Sequence, residues 1–222
     1  SVHSGRHQVN RQDCIACGKC TDVCIRNALT ICGQHPTANT VIAEVLQDLP
    51  WYQDTTGGMT LSGGEPMLQP TFARALLTLA KSHQIHCAVE TSGCCQWEKL
   101  ADIMDRVDLF LFDCKETRAN QHRHYTGADL SLIQENLFRL HDANANILLR
   151  CPIIPGLNDT PEHFANLARL KHQLPNLQGI ELLPYHTLGH GKTERYGISQ
   201  SPTLNAHTPT PEDIDRWHTM LK

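Results

Sequence analysis

Residues 57–66 read GGMTLSGGEP. Met59 and Leu61 form a short apolar run that leads into two glycines, a glutamate and a proline, so the stretch predicts a strand that ends in a tight turn. Glycines at 63 and 64 permit positive φ and let a ligand approach bare backbone. Pro66 removes an N–H donor and stops the ladder. Glu65 is thereby left at the C-terminal end of the strand. Such a turn is common by itself, and its meaning depends on the segments on either side.

Upstream, Thr37 or Asn39 caps a helix whose apolar positions Val41, Ile42, Val45, Leu46 and Leu49 recur at spacings of three and four. Downstream, helix-like and strand-like runs alternate. A helix from about Pro70 carries Phe72, Leu76, Leu77 and Leu79, and His86–Glu90 is a second strand closed by Thr91, Ser92 and Gly93. Trp97–Met104 is a short helix, Leu109–Asp113 a third strand, and a helix lies around Leu130–His141. Ile147–Cys151 is a fourth strand, ended by Pro152 and the Pro155-Gly156 turn. Pro161–Leu174 is a helix with Thr160 as N-cap and proline in its first turn. Ile180–Leu183 is a fifth strand, and a last helix runs over Asp213–Leu221 after the start signal Thr210–Asp213.

The strands are almost continuously apolar, which predicts parallel strands covered on both faces. Strands separated by helices give right-handed βαβ units. The fold class is therefore α/β, a barrel-like array of about five parallel strands with helices outside. Ligands of such folds sit at the C-terminal strand ends. The five strands deliver Glu65, Glu90, Asp113 with Lys115, Arg150, and His186 just past the fifth. Any one of these could be a rim ion pair or a turn residue. Five together predict a polar site of mixed charge, and hence an enzyme.

The chain of 222 residues is long enough to bury a core, and its net charge of -4 contains no basic run. Nucleic acid and an anionic membrane are not indicated as partners. No apolar run approaches the ~20 residues of a membrane span, and residues 1–13 lack a secretory apolar core. Ten cysteines fit either an oxidised secreted scaffold or metal ligation in a reducing compartment. Their crowding near the N-terminus favours the second, and a cytoplasmic location is expected.

Cys14, Cys17, Cys20 and Cys24 follow C-x2-C-x2-C-x3-C. That spacing wraps a loop around a 4Fe-4S cluster, and in two-cluster ferredoxins the fourth cysteine reaches the other cluster. A zinc knuckle more often pairs two separated C-x2-C units. The segment resembles one half of a bacterial ferredoxin, with Ile25 where proline usually follows. Cys14, Cys17 and Cys20 then need a fourth ligand and Cys24 a cluster; Cys32 is either that ligand or a core thiol beside Ile31. Cys87, Cys114 and Cys151 are expected to be buried thiols, and Tyr125, Trp97 and Trp217 packing residues. Residues 1–36 form the ferredoxin-like segment and 37–222 the body.

The body resembles the radical S-adenosylmethionine enzymes, and within them the glycyl-radical-enzyme activating enzymes. The resemblance rests on TLSGGEP (60–66), HCAVETSG (86–93), DLFLFDCKE (108–116), HYTG (124–127), LLRCPIIPGLND (148–159) and ELLPYHTLGHGKTERYG (181–197), in family order. The Asp-x-Lys, PGLND and LLPYH-x-LG elements are more specific to activases than the glycine turn. It implies a six-stranded (β/α) barrel, S-adenosylmethionine and a 4Fe-4S cluster as cofactors, and a glycyl radical enzyme as partner and protein substrate. A reduced flavodoxin or ferredoxin would supply electrons. It further implies that Gly63, Gly64 and Glu65 hold the methionyl amino group. Glu90, Asp113 and Lys115 would lie near the carboxylate and ribose, Arg150 near the methionyl or cation region, and His186 beside the nucleoside. Lys115 and His186 are the residues it assigns to catalysis. Glu90 replaces an aspartate, which departs from the family's carboxylate cation site. The loop around Gly189–Tyr196 would face the protein substrate.

One departure is large. The family's C-x3-C-x2-C motif, which holds the catalytic cluster after the first barrel strand, occurs nowhere in the chain. Five strands are countable of six. The expectation is therefore a chain that lacks the N-terminal part of an activase and is inactive as it stands. Two alternatives are an iron–sulfur electron-transfer or binding module without catalysis, and a radical S-adenosylmethionine enzyme acting on a small molecule.

Overall fold

The structure, a computed structural model, describes residues 2–3, 6–7, 9–189, 196 and 206–221. The chain divides into two compact units, Ser1–Thr37 with Gly189–Ser201 and Ala38–Leu188 with Pro202–Lys222.

In the first unit, β1 (Val2–His3) pairs antiparallel with β2 (Arg6–His7). The cysteine segment contains a single helical turn, α1 (Lys19–Asp22), whose N-cap Gly18 sits at φ 77. A Cβ at Gly18 would lie 3.0 Å from Cδ1 of Ile31, so backbone angle and packing both call for glycine there. Ala16 and Asn27 also have positive φ, giving the segment repeated reversals.

The second unit opens with α2 (Ala38–Val45), a 3-10 turn, and α3 (Leu49–Thr55). Five parallel strands then pair in chain order: β3 (Gly58–Leu61), β4 (His86–Thr91), β5 (Leu109–Asp113), β6 (Ile147–Ile153) and β7 (Gly179–Pro184). The helices between and after them are α4 (Pro70–Ser82), α5 (Trp97–Ala101), α6 (Ala119–Thr126), α7 (Leu130–Asp142), α8 (Pro161–Gln173) and α9 (Pro211–Met220). The sequence reading missed α6, whose only strong apolar residue is the half-exposed Tyr125. The caps expected at Thr160 and Thr210 are present, whereas Asn39 lies inside α2. Thr160 Oγ1 accepts from His163 N, and Thr210 and Asp213 form a reciprocal capping box.

One face of the sheet carries the core. Met59, Cys87, Val89, Phe110, Phe112, Ile147, Leu149, Cys151 and Ile153 are buried there with Leu76, Leu77, Leu137, Leu140, Phe164, Leu167 and Trp217 from the helices. The alternate residues of β5 and β6 are half-exposed instead. The expectation of strands covered on both faces is thus corrected: the second face bears polar residues at its strand ends. Burial alternates even though the sequence of β5 is apolar at four successive positions.

Pro152 does not end β6, which continues to Ile153 paired with β7. Arg150 O accepts from Cys114 N and Ile153 O from Tyr185 N. Pro152 therefore turns its backbone nitrogen toward the side where β5 has already stopped, and its missing N–H breaks no ladder bond. Cys87 and Cys151 are buried and Cys114 half-buried, whereas Cys32 and Ile31 are exposed. Trp217 is a core residue. Tyr125 is 40% exposed against the His124 ring, and so does not pack as anticipated.

Candidate active site at the strand ends

Register decides which side chains meet. Leu61 pairs with Val89, Glu90 with Leu111, Asp113 with Arg150, and Arg150 with Glu181. Side chains alternate along a strand, so Ser62, Glu90, Asp113, Arg150 and Glu181 fall on the half-open face of neighbouring strands. They form one chain of contacts. Ser62 Oγ donates to Glu90 Oε2 at 2.9 Å, Arg150 Nη1 lies 2.9 Å from Glu90 Oε1, and Arg150 Nε lies 3.4 Å from Glu181 Oε2. Lys115 Nζ is 3.5 Å from Asp113 Oδ2. Burial raises the Asp113 pKa; Lys115 and Arg150 pull it back and Glu90 adds to the rise.

The glycine turn is open. Gly63 has φ 125, and a Cβ on Gly63 or Gly64 would meet nothing within 4 Å. Glu65 points elsewhere. Its Oε1 accepts from Thr91 Oγ1 at 2.7 Å and Met67 N at 3.2 Å, and its Oε2 from Ser92 N at 2.9 Å and Ser92 Oγ at 2.7 Å. Gly93 follows at φ 68, where a Cβ would lie 2.3 Å from Cζ of Phe112. His186 is exposed just beyond β7.

Behind this rim lies a layer that sequence reasoning missed. Asn158 donates through Nδ2 to Lys115 O and Pro152 O and accepts at Oδ1 from Ile154 N, which fixes the loop carrying Lys115 to the end of β6. Glu116, 1% exposed, accepts from Thr117 N, Arg118 N and the Arg118 guanidinium, with His163 Nδ1 at 3.4 Å. Although burial opposes it, bonding from His163 and Arg118 pulls its pKa down to about 2. Asn136 donates to Gly93 O and Cys95 O, both at 2.8 Å. Asn136 and His163 were detectable as polar residues within the apolar stripes of α7 and α8. Glu116 and Asn158 lie in the stretches 108–116 and 148–159, whose family likeness marks them without assigning either a role. A separate concavity of about 640 Å³, lined by Arg118, Glu162, Asn166 and Arg169 among others, contains none of the strand-end residues.

In the cysteine segment, Cys14, Cys17 and Cys20 are exposed and Cys24 half-buried. Among the described residues no three metal-binding side chains are arranged to hold an ion. The donor chemistry nonetheless fits an iron–sulfur cluster. Ala28 N donates to Cys24 Sγ at 3.2 Å, and backbone amides of Leu29 first, then Ala28 and Arg26, lower the thiol pKa. Amides directed at sulfur tune iron–sulfur clusters.

The family model of the radical SAM superfamily matches residues 23–169. The chain belongs to the radical SAM superfamily. The model of the 4Fe-4S binding domain matches residues 7–30 of this radical SAM chain, over the cysteine run. The isethionate sulfite-lyase activating enzyme of Nitratidesulfovibrio vulgaris is 38% identical over 206 residues, covering 90% of the chain and 66% of the relative. The choline trimethylamine-lyase activating enzyme of Oleidesulfovibrio alaskensis is 37% identical over 186 residues, covering 81% and 60%. The radical SAM chain thus spans about three fifths to two thirds of the length of these curated relatives. A domain of pyruvate-formate lyase-activating enzyme from Bacteroides vulgatus superposes with TM-score 0.62 at 28% identity, covering 74% of the chain and 92% of that domain. The cofactors of the two matched models are S-adenosylmethionine and a 4Fe-4S cluster.

Proposed function

We propose that the chain carries the S-adenosylmethionine site and the electron-relay segment of a glycyl-radical-enzyme activating enzyme. The observation that carries this reading is the contact chain Ser62–Glu90–Arg150–Glu181 with Asp113–Lys115, on one face beside an open glycine turn. S-adenosylmethionine presents an ammonium, a carboxylate, a sulfonium, a ribose diol and an adenine. Glu90, Asp113 and Glu181 set three negative charges against the two positive charges of Lys115 and Arg150. With Glu65 in the adjoining turn, carboxylates outnumber cations, and a negative surplus suits a ligand of net charge +1.

In this reading the turn Gly63–Glu65 receives the methionyl amino group. Lys115 and Arg150 face the carboxylate end, each held in place by its own acid. Glu90 and Asp113 accept hydrogen bonds from the ribose hydroxyls, and His186 closes over the adenine. Cys14, Cys17 and Cys20 hold the relay cluster, and Cys24 serves a second one. When bound, a 4Fe-4S cluster would supply the electron for reductive cleavage of S-adenosylmethionine, chemistry that in activating enzymes ends in a glycyl radical on a partner enzyme. The electrons come from reduced flavodoxin or ferredoxin, in an anaerobic cytoplasm. The named relatives support a glycyl radical enzyme as partner, and they name different lyases at nearly equal identity.

The ten cysteines contain no C-x3-C-x2-C, so these residues by themselves should not release 5′-deoxyadenosine. After anaerobic reconstitution with iron and sulfide and reduction, the expected result is about one cluster per chain, S-adenosylmethionine binding by calorimetry, and no cleavage. Release of 5′-deoxyadenosine would overturn the inactivity. A cluster without any ligand binding would favour the second reading, an electron-transfer module, for which the missing motif also speaks.

A further inference from the structure

We propose that Cys114 and Cys151 form a redox-active thiol pair, a modification site at the joint of β5 and β6 where a hydroperoxide converts the two thiols to a disulfide. Neither thiol belongs to the cysteine segment or to the strand-end contacts described above.

Asp113 pairs with Arg150 across the parallel strands, so Cys114 and Cys151 follow as the next residues in step. Neighbouring strands run ~4.8 Å apart, inside the Cα separation of about 4.4–6.8 Å that a disulfide spans. Side chains alternate along a strand, so both thiols point away from the half-open face. Cys151 is wholly buried in the core and Cys114 packs half-buried against it. The two thiols share a hydrogen bond; that bond first, and burial second, raise the Cys151 pKa well above that of an ordinary thiol. The backbone ladder reaches Cys114 N, which donates to Arg150 O at 2.8 Å, and Pro152 has no N–H to extend it. Beyond that point Asn158 ties the two segments by its side chain, which leaves the end of β5 room to adjust as the sulfurs join. A crevice of about 20 Å³, lined by Asp113, Cys114, Lys115 and Glu116 among others, borders the half-buried thiol. It has room for about one water-sized molecule.

Cys114 is therefore the sulfur that meets the oxidant and Cys151 the one that resolves it. The Cys114 sulfur attacks one oxygen of hydrogen peroxide, the O–O bond breaks, and water leaves with the thiol proton, giving a sulfenic acid. The Cys151 sulfur then displaces hydroxide from that sulfur: an S–O bond breaks, an S–S bond forms, and the Cys151 proton makes the hydroxide a second water. Two thiols lose two electrons in all, and one peroxide becomes two waters. A sulfenic acid with a thiol beside it is intercepted before it reaches the irreversible sulfonic state.

The test treats the full reduced chain with hydrogen peroxide, native and unfolded in urea, caps the remaining thiols, and maps disulfides by trypsin digestion and mass spectrometry. Cleavage after Arg106, Lys115, Arg150 and Arg169 releases peptides 107–115 and 151–169, each with a single cysteine. The native chain should give these two peptides as one linked species, lighter by two hydrogens than their sum. Its yield should exceed that of the urea-unfolded chain by on the order of tenfold, because side-by-side placement raises effective concentration. A dithiol reductant should return both free peptides. In Cys151→Ser, dimedone should trap a sulfenic acid on Cys114; the wild-type map decides without it should that variant fail to fold. Cys114 carried to the sulfinic acid without a link, or linked mainly to another cysteine, would overturn the pair. So would equal yields from native and unfolded chain, or two unmodified peptides at a peroxide dose that oxidises the exposed Cys94.

Discussion

Glu116→Gln isolates a single buried charge. The Glu116 side chain is wholly out of solvent, and its pKa falls from 4.5 to about 2 as His163 and Arg118 bond to its charged form against the cost of burial. At about 1.4 kcal/mol for each pKa unit, the folded state favours the carboxylate by about 3 kcal/mol. A depressed carboxyl pKa contributes stability that is complete above the unfolded value. It drains away as pH falls from 4.5 toward 2. Urea unfolding of wild type should therefore lose about 3 kcal/mol more than the variant between about pH 6 and about pH 2. Near neutral pH the variant should be less stable by about 3 kcal/mol, because Arg118 and His163 are left without their acceptor. The groups facing Glu116 are Arg118 from the same loop and His163 from α8, with Glu162 acting on Arg118. Both proteins share them, so the difference isolates the carboxylate. Identical pH dependence in the two proteins would refute the assignment.

Three further outcomes are expected. Gly93→Ala should destabilise by about 2–4 kcal/mol in urea unfolding, from a left-handed backbone and a Cβ placed against Phe112. Asn158→Ala removes three hydrogen bonds and should cost about 2–3 kcal/mol; in calorimetry it should also weaken S-adenosylmethionine through Lys115. In cysteine alkylation of the apo protein followed by mass spectrometry, the exposed Cys14, Cys17, Cys20 and Cys94 should react before Cys87 and Cys95. Burial pushes both of the latter thiols up to about 11, helped at Cys95 by Glu65. Cys24 should keep its reactivity as pH falls, since amide bonds from Leu29 and its neighbours favour the thiolate.

Strand positions were legible because β3–β7 are short apolar runs, all but β5 closed by glycine or proline, and parallel order follows from the intervening helices. The candidate site was legible as a set of residue types, since each strand ends on a charged or titratable group. Their pairing was not. That Glu90 meets Arg150 and Ser62 depends on register across four strands, β3 to β6, which no local pattern encodes. The roles of Asn136, Asn158 and His163 were hidden for the same reason, because each bonds to backbone or side chains some forty residues away. Pro152 was misleading because the rule against proline in strands assumes a neighbour on its nitrogen side. Helix α6 was missed because it buries His122 rather than an apolar stripe.

The strictly sequential strand order has a consequence for how the chain reaches its structure. Gly58 pairs with His86, Ala88 with Leu109, Phe110 with Ile147 and Leu148 with Gly179. Each strand finds its partner in the next one made, across a loop and helix of a few tens of residues. Loop-closure entropy is then spread over several modest steps instead of one long closure. During synthesis, each newly emerged strand can dock on a sheet edge that already exists, and the contacts of Arg150 with Glu90 and Glu181 form late, when β6 and β7 arrive.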